Sequence, residues 1–98
     1  MPLDRDIRLK IEESIDELIK NPKESYEGIA EDLGEMGVQP GLETILAFIT
    51  GLIYGLAEGR NIMKHGRVLN ASEKEELFDL LRRRAWELRQ EFVKIFYR

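Results

Sequence analysis

Between Leu42 and Gly59 a small residue recurs at every fourth position: Ala47, Gly51, Gly55, Gly59. At helical spacing these four lie in one nearly straight row. Each glycine inside a helix costs about 1 kcal/mol relative to alanine. Three in register therefore need a compensation, and a second helix whose backbone lies close against the row supplies one. The rest of the segment is apolar on almost every side, with Leu42, Ile45, Leu46, Phe48, Ile49, Leu52, Ile53, Tyr54 and Leu56. A helix of this kind is buried on most sides. Three short partners from one small chain hardly cover it, so the sequence predicts a homodimer with Ala47, Gly51, Gly55 and Gly59 at or beside the interface.

The 98 residues are expected to form one helical domain, 1–98. The fold class read from the sequence is all-α: a four-helix, bundle-like domain with two long helices, about 41–65 and 73–97. Ile7, Ile11, Ile15, Leu18 and Ile19 give the first helix its apolar stripe. Asn21-Pro22 ends it and starts the second, with Asn21 as the expected cap and Glu24 as its capping-box partner. Tyr26, Ile29, Ala30, Leu33 and Met36 mark a short amphipathic helix, which Gly34, Gly37 and Pro40-Gly41 bring to a close. Gly66 is placed to stop the third helix as a left-handed cap. The last opens with a capping box in Ser72-Glu73-Lys74-Glu75. Leu77, Leu81, Ala85, Leu88, Phe92 and Ile95 form its seam, which Phe78, Trp86, Val93 and Phe96 widen. Of Arg82, Arg83 and Arg84, at least one is expected near the core edge with its stem packed.

Several chemistries are excluded by composition. There is no cysteine, hence no disulfide, thiolate nucleophile or Cys-ligated zinc. His65 is the only histidine, which removes zinc sites built from two or three. No glycine-rich phosphate loop is present, and nothing calls for a cofactor. The start, Met-Pro-Leu-Asp-Arg-Asp, has neither the basic head nor the apolar core of a signal peptide. The apolar run from Leu42 to Ala57 is shorter than the roughly 20 residues a bilayer needs, and it carries Glu43. The expectation is a cytoplasmic protein with no membrane association. A charged share of 35% with two Gln and three Asn leans towards a thermophile.

Net charge is −4, against generic nucleic-acid binding. Residues 1–58 carry a balance of −8 and residues 59–98 one of +4. An acidic helix beside a basic one explains that division; a basic part facing a phosphate backbone is the sharper alternative.

Two motifs resemble those of known enzyme families. Glu12-Glu13-Ser14-Ile15-Asp16, followed by Glu17, is similar to the first paired-acid motif of MazG-type nucleotide pyrophosphohydrolases, which would imply a Mg²⁺-dependent hydrolase. The second motif has the wrong spacing in Glu27-Gly28-Ile29-Ala30-Glu31-Asp32. Arg60-Asn61-Ile62-Met63-Lys64-His65 resembles the Arg-x4–6-His signature of HEPN-domain ribonucleases, small all-helical proteins that are typically dimers. That resemblance implies Arg60, Asn61 and His65 as catalytic residues. His65 would move a proton and Arg60 would hold a phosphate, with no metal. Lys64, Arg67 and the arginines of the last helix would hold RNA. On one continuous helix Arg60 and His65 stand about 140° apart, so the helix must end near the motif or a second subunit must complete the site. The leading expectation is non-enzymatic: a dimeric helical module that binds another macromolecule, a protein, with RNA as partner only in the ribonuclease alternative.

Overall fold

The computed structural model describes residues 2–97. Four helices follow one another: α1 (Arg5–Lys20), α2 (Pro22–Glu35), α3 (Leu42–His65) and α4 (Ala71–Phe96), with no strand among the described residues. The all-α bundle expected from the periodicity is the architecture found. α1 runs antiparallel to α3, since Asp4 meets His65 at one end and Leu18 lies near Ile49 at the other. α4 also runs antiparallel to α3, with Phe78 stacked on Tyr54 and Arg89 paired with Glu43. α2 crosses the far end, where Tyr26 meets Phe92 edge-on.

The core follows the periodicities. Ile7, Ile11 and Ile15 of α1, Ile45, Ile49, Ile53 and Ala57 of α3, and Leu77, Leu88 and Phe92 of α4 are buried together. Fully burying each large aliphatic side chain contributes roughly 1.5–3 kcal/mol. The helix ends are built locally. The Asp4 carboxylate accepts from the N–H groups of Asp6 and Ile7 and so caps α1. Pro22 opens α2, but Asn21 makes no side-chain capping bond. Gly66 ends α3 at φ 73°, a conformation that needs the missing Cβ.

Besides the missing Asn21–Glu24 cap, three further readings of the sequence differ from the structure. The capping box of α4 is Asn70 with Glu73, not Ser72 with Glu75, so the helix begins at Ala71. Both pairs have the required spacing. Asn70–Glu73 prevails because Arg67 also reaches the Glu73 carboxylate at 2.7 Å and Leu69 buries beside it. On α4, Trp86 does not widen the core stripe: it is 63% exposed, opposite the face that carries Leu77, Leu88 and Phe92. Arg84 does lie at the core edge, half-buried against α1.

The third difference concerns α3. Within one copy it is buried on one side, and the difference lies in its apolar length, which the sequence reading takes as too short for a bilayer. Its 24 residues include an 18-residue window with a mean hydropathy of 1.3, so by length and composition it could cross a bilayer. Replacing Asn70 by Ala should remove the α4 cap and lower stability by about 1 kcal/mol, read from the urea midpoint. An unchanged midpoint would mean that Ser72 takes over the role.

Candidate functional site

The motif residues sit at the end of α3, and the structure separates them. Asn61 is fully buried. It follows Ile53 and Ala57 at four-residue steps and so shares their inward face. Its amide donates to the Arg67 carbonyl at 2.8 Å and ties the α3–α4 loop to the helix. Its Oδ1 has no partner among the described residues. Within this chain Asn61 therefore faces neither Arg60 nor solvent.

His65 lies on the surface, and its Nε2 is 2.9 Å from Asp4 Oδ2. Lys64 reaches Asp4 at 3.0 Å and Asp6 at 2.9 Å. One carboxylate, that of Asp4, thus caps α1 and joins it to two cationic or titratable groups at the α3 terminus. Lys64 beside it, then His65 and the two capping N–H groups, hold its pKa far below the usual carboxylate range. Arg60 is exposed and has no ion-pair partner among the described residues. α3 is continuous through Arg60 and His65, which therefore point about 140° apart. Lys64 and Arg67, read as candidates for holding RNA, spend their charge inside the chain, on Asp4 and Asp6 and on Glu73.

Two acids of the α1 cluster, Glu12 and Asp16, are also engaged. Arg84 of α4 bonds to Glu12 at 2.8 Å and to Asp16, while Arg8 bonds to Glu76 at 2.8 Å. Those carboxylates stitch α1 to α4. No group of three or more His, Asp or Glu able to hold a metal exists among the described residues.

The least satisfied part of the surface is the outer side of α3. Ala47, Gly51, Gly55 and Gly59 are exposed there, flanked by Thr44, Phe48, Leu52 and Ile62. None of these eight residues is charged. Glu58, at the edge of the row, is turned aside and accepts from the Leu69 N–H at 2.7 Å. A Cβ built on Gly51, Gly55 or Gly59 would meet nothing within 4 Å. The row therefore does not pack against α1, α2 or α4. Leu52 is 57% exposed and Met63 89%. Beside the row, between α3 and the start of α1, runs a groove of about 730 Å³. Gly55, Gly59, Leu56 and Met63 line it, with Arg60 and Asp6 at its rim. A second, apolar hollow bounded by Ser14, Leu18, Leu52 and Leu56 continues the same seam.

Comparison with known proteins finds no family model that matches the chain, no matching curated protein and no matching solved structure.

The sequence reading missed Asp4. Its signal was local: an acid directly before the first apolar period of a helix is an N-cap candidate. Its partners sixty residues away were not legible. The capping role and the cationic neighbours give a pH test. A carboxylate held below its ordinary value of 3.8 stabilises the folded chain above that pH. That contribution is lost as pH falls below it and protonates the folded form. Asp4→Asn keeps a capping side chain and removes the charge. The stability gap between wild type and Asp4→Asn should be largest at neutral pH and should shrink as pH falls below 3.8, in urea titrations. A gap constant with pH would show that the charge contributes nothing.

Proposed function

We propose that the chain is a non-enzymatic helical interaction module that works as a homodimer in the cytoplasm, and that the outer side of α3 is its assembly face. The observation that carries this reading is the uncharged face with three glycines open to solvent. Open glycines only weaken a monomer's helix. Against a second backbone they allow close approach and dense packing. An apolar face spanning a helix of 24 residues is also more than scattered surface hydrophobics. α4 adds an edge for a further protein partner: Trp86, Val93 and Tyr97 are exposed there together with Arg82. Aromatic and arginine side chains are the ones that carry most binding energy at protein interfaces.

Sedimentation of Gly55 variants tests the assembly. Wild type should sediment as a dimer at micromolar concentration. Gly55→Leu should sediment as a folded monomer with an unchanged circular dichroism spectrum, because a Cβ there meets nothing within 4 Å in its own chain. Overpacking of a close contact costs typically about 1–3 kcal/mol per site. Gly55→Ala should raise the stability of a monomer by about 1 kcal/mol but weaken a tight dimer. A wild-type monomer that Gly55→Ala simply stabilises would end the proposal. Recovery of wild type only in detergent would put α3 in a membrane instead.

A second reading, a HEPN-like metal-independent ribonuclease, is favoured by one observation. His65 is on the surface with a carboxylate partner that can orient it, and Arg60 is exposed nearby in sequence. On that reading the protein cleaves single-stranded RNA in EDTA, and His65→Ala or Arg60→Ala abolishes cleavage without loss of helicity. Intact RNA after prolonged incubation with wild type removes it.

A further inference from the structure

The groove between α1 and α3 is charged at one end and bare at the other. At the charged end its lining includes Asp6, Arg60 and Lys64. Lys64 holds Asp6 at 2.9 Å and Asp4 at 3.0 Å, so these charges are met within the chain. Arg60 forms no ion pair among the described residues and is the one lining charge left over. From there the groove follows α3, and at Leu56 it joins the apolar hollow bounded by Ser14, Leu18, Ile29 and Ile49. Among the described residues, none that lines this far part is charged. The volumes, about 730 Å³ and about 240 Å³, are those of a site for a small ligand.

Length and width restrict the occupant. Arg60 and Ile49 stand eleven residues apart on α3, a rise of about 16 Å. A fully extended chain advances about 1.2 Å per bond, so the track takes roughly thirteen bonds. α1 and α3 lie side by side over a shared core of Ile7, Ile11, Ile53 and Ala57. Helices packed in this way stand about 8–10 Å apart, and a helix with its side chains is about 10–12 Å across. A furrow between such neighbours is too narrow for another helix but admits a polymethylene chain. Met63, 89% exposed beside the charged end, is unbranched and able to fold over such a chain. Arginine matches a carboxylate with two parallel hydrogen bonds. We propose that the α1–α3 groove binds a single-chain amphiphile, an unbranched carboxylate of about fourteen carbons. Its head lies on Arg60, and its tail runs past Leu56 to Leu18 and Ile29. The site is complete within one copy and does not rest on the assembly proposed above.

The probe is tetradecanoate, titrated into the full chain below its micelle concentration and followed by calorimetry. One molecule should bind per chain at micromolar concentration. Decanoate, four methylenes shorter, should bind at least about tenfold more weakly. Tetradecyltrimethylammonium keeps the tail and reverses the charge, and it should also bind at least about tenfold more weakly. Arg60→Glu should invert the preference between the two head groups while leaving the circular dichroism spectrum unchanged. Lys23→Gln, which removes an exposed cation from α2, should alter neither affinity. Equal affinity for the two head groups, no gain from the longer tail, or indifference to Arg60→Glu would mean adventitious adsorption and overturn the proposal. Failure of tetradecanoate to bind a chain that sediments as a dimer would give the groove to the second copy, and the proposal falls while the assembly stands.

Discussion

A helix apolar around most of its circumference cannot be covered by three neighbours from a chain of 98 residues. Everything else in the structure accommodates that shortage. α1 and α4 run beside α3 and take its inner half, through Ile45, Ile49, Ile53 and Ala57. α2 closes the end where the α2–α3 turn lies. The outer half is left with small and uncharged side chains. Such a surface is inexpensive to expose in area, since glycine has little of it. The large exceptions, Leu52, Ile62 and Met63, are the ones that a contact would gain from covering.

Where the chain does use charge, it uses it to hold helices together. Arg84 joins α4 to α1 through Glu12 and Asp16, Asp4 joins α1 to α3, and Arg67 braces the α3–α4 loop through Glu73. The first two of these draw on α1 and its cap, whereas Glu24, Glu27, Glu31, Asp32 and Glu35 make α2 the acidic helix and enter no ion pair among the described residues. α1 and α4 are joined by ion pairs within one molecule, and Lys64, Arg67, Arg82, Arg84, Arg89 and Lys94 of residues 59–98 each meet a carboxylate of the same chain. Arg60 has no such partner among the described residues, and it stands beside the α1–α3 groove.

The fold was legible because its signals were local. Helical spacing of isoleucine and leucine, Pro22 at a helix start and Gly66 past a helix end each act within a turn or two, and each is found as read. What depended on distant contacts was not legible. Asn70 and Ser72 both offered a cap of correct spacing, and Arg67 with the burial of Leu69 decided between them. Trp86 fell within reach of the heptad seam, yet α1 and α3 approach α4 from directions that leave it outside. Asn61 was read by the company of Arg60 and His65 when its place four residues after Ala57 pointed inward. The site motif therefore survives as an exposed Arg60 and a carboxylate-held His65 rather than as a triplet. The two Arg60–His65 ends would lie together only in a parallel pair, so the direction of pairing bears on the ribonuclease reading as well.

The open glycines also decide where this helix is soft. Helices ordinarily loosen from their ends, where hydrogen bonds are fewest. In α3 the ends are held, one by Arg89 on Glu43 and the other by Asp4 on Lys64 and His65. The middle carries Gly51, Gly55 and Gly59, with no side chain to shield the backbone from water on that side. In a lone copy the outer backbone of that stretch stands open to water, while Ile49, Ile53 and Ala57 hold its inner side. If the proposed pairing covers that centre, the exposure of its backbone depends on how many other copies surround each molecule, so abundance and hydration become linked through three missing methyl groups.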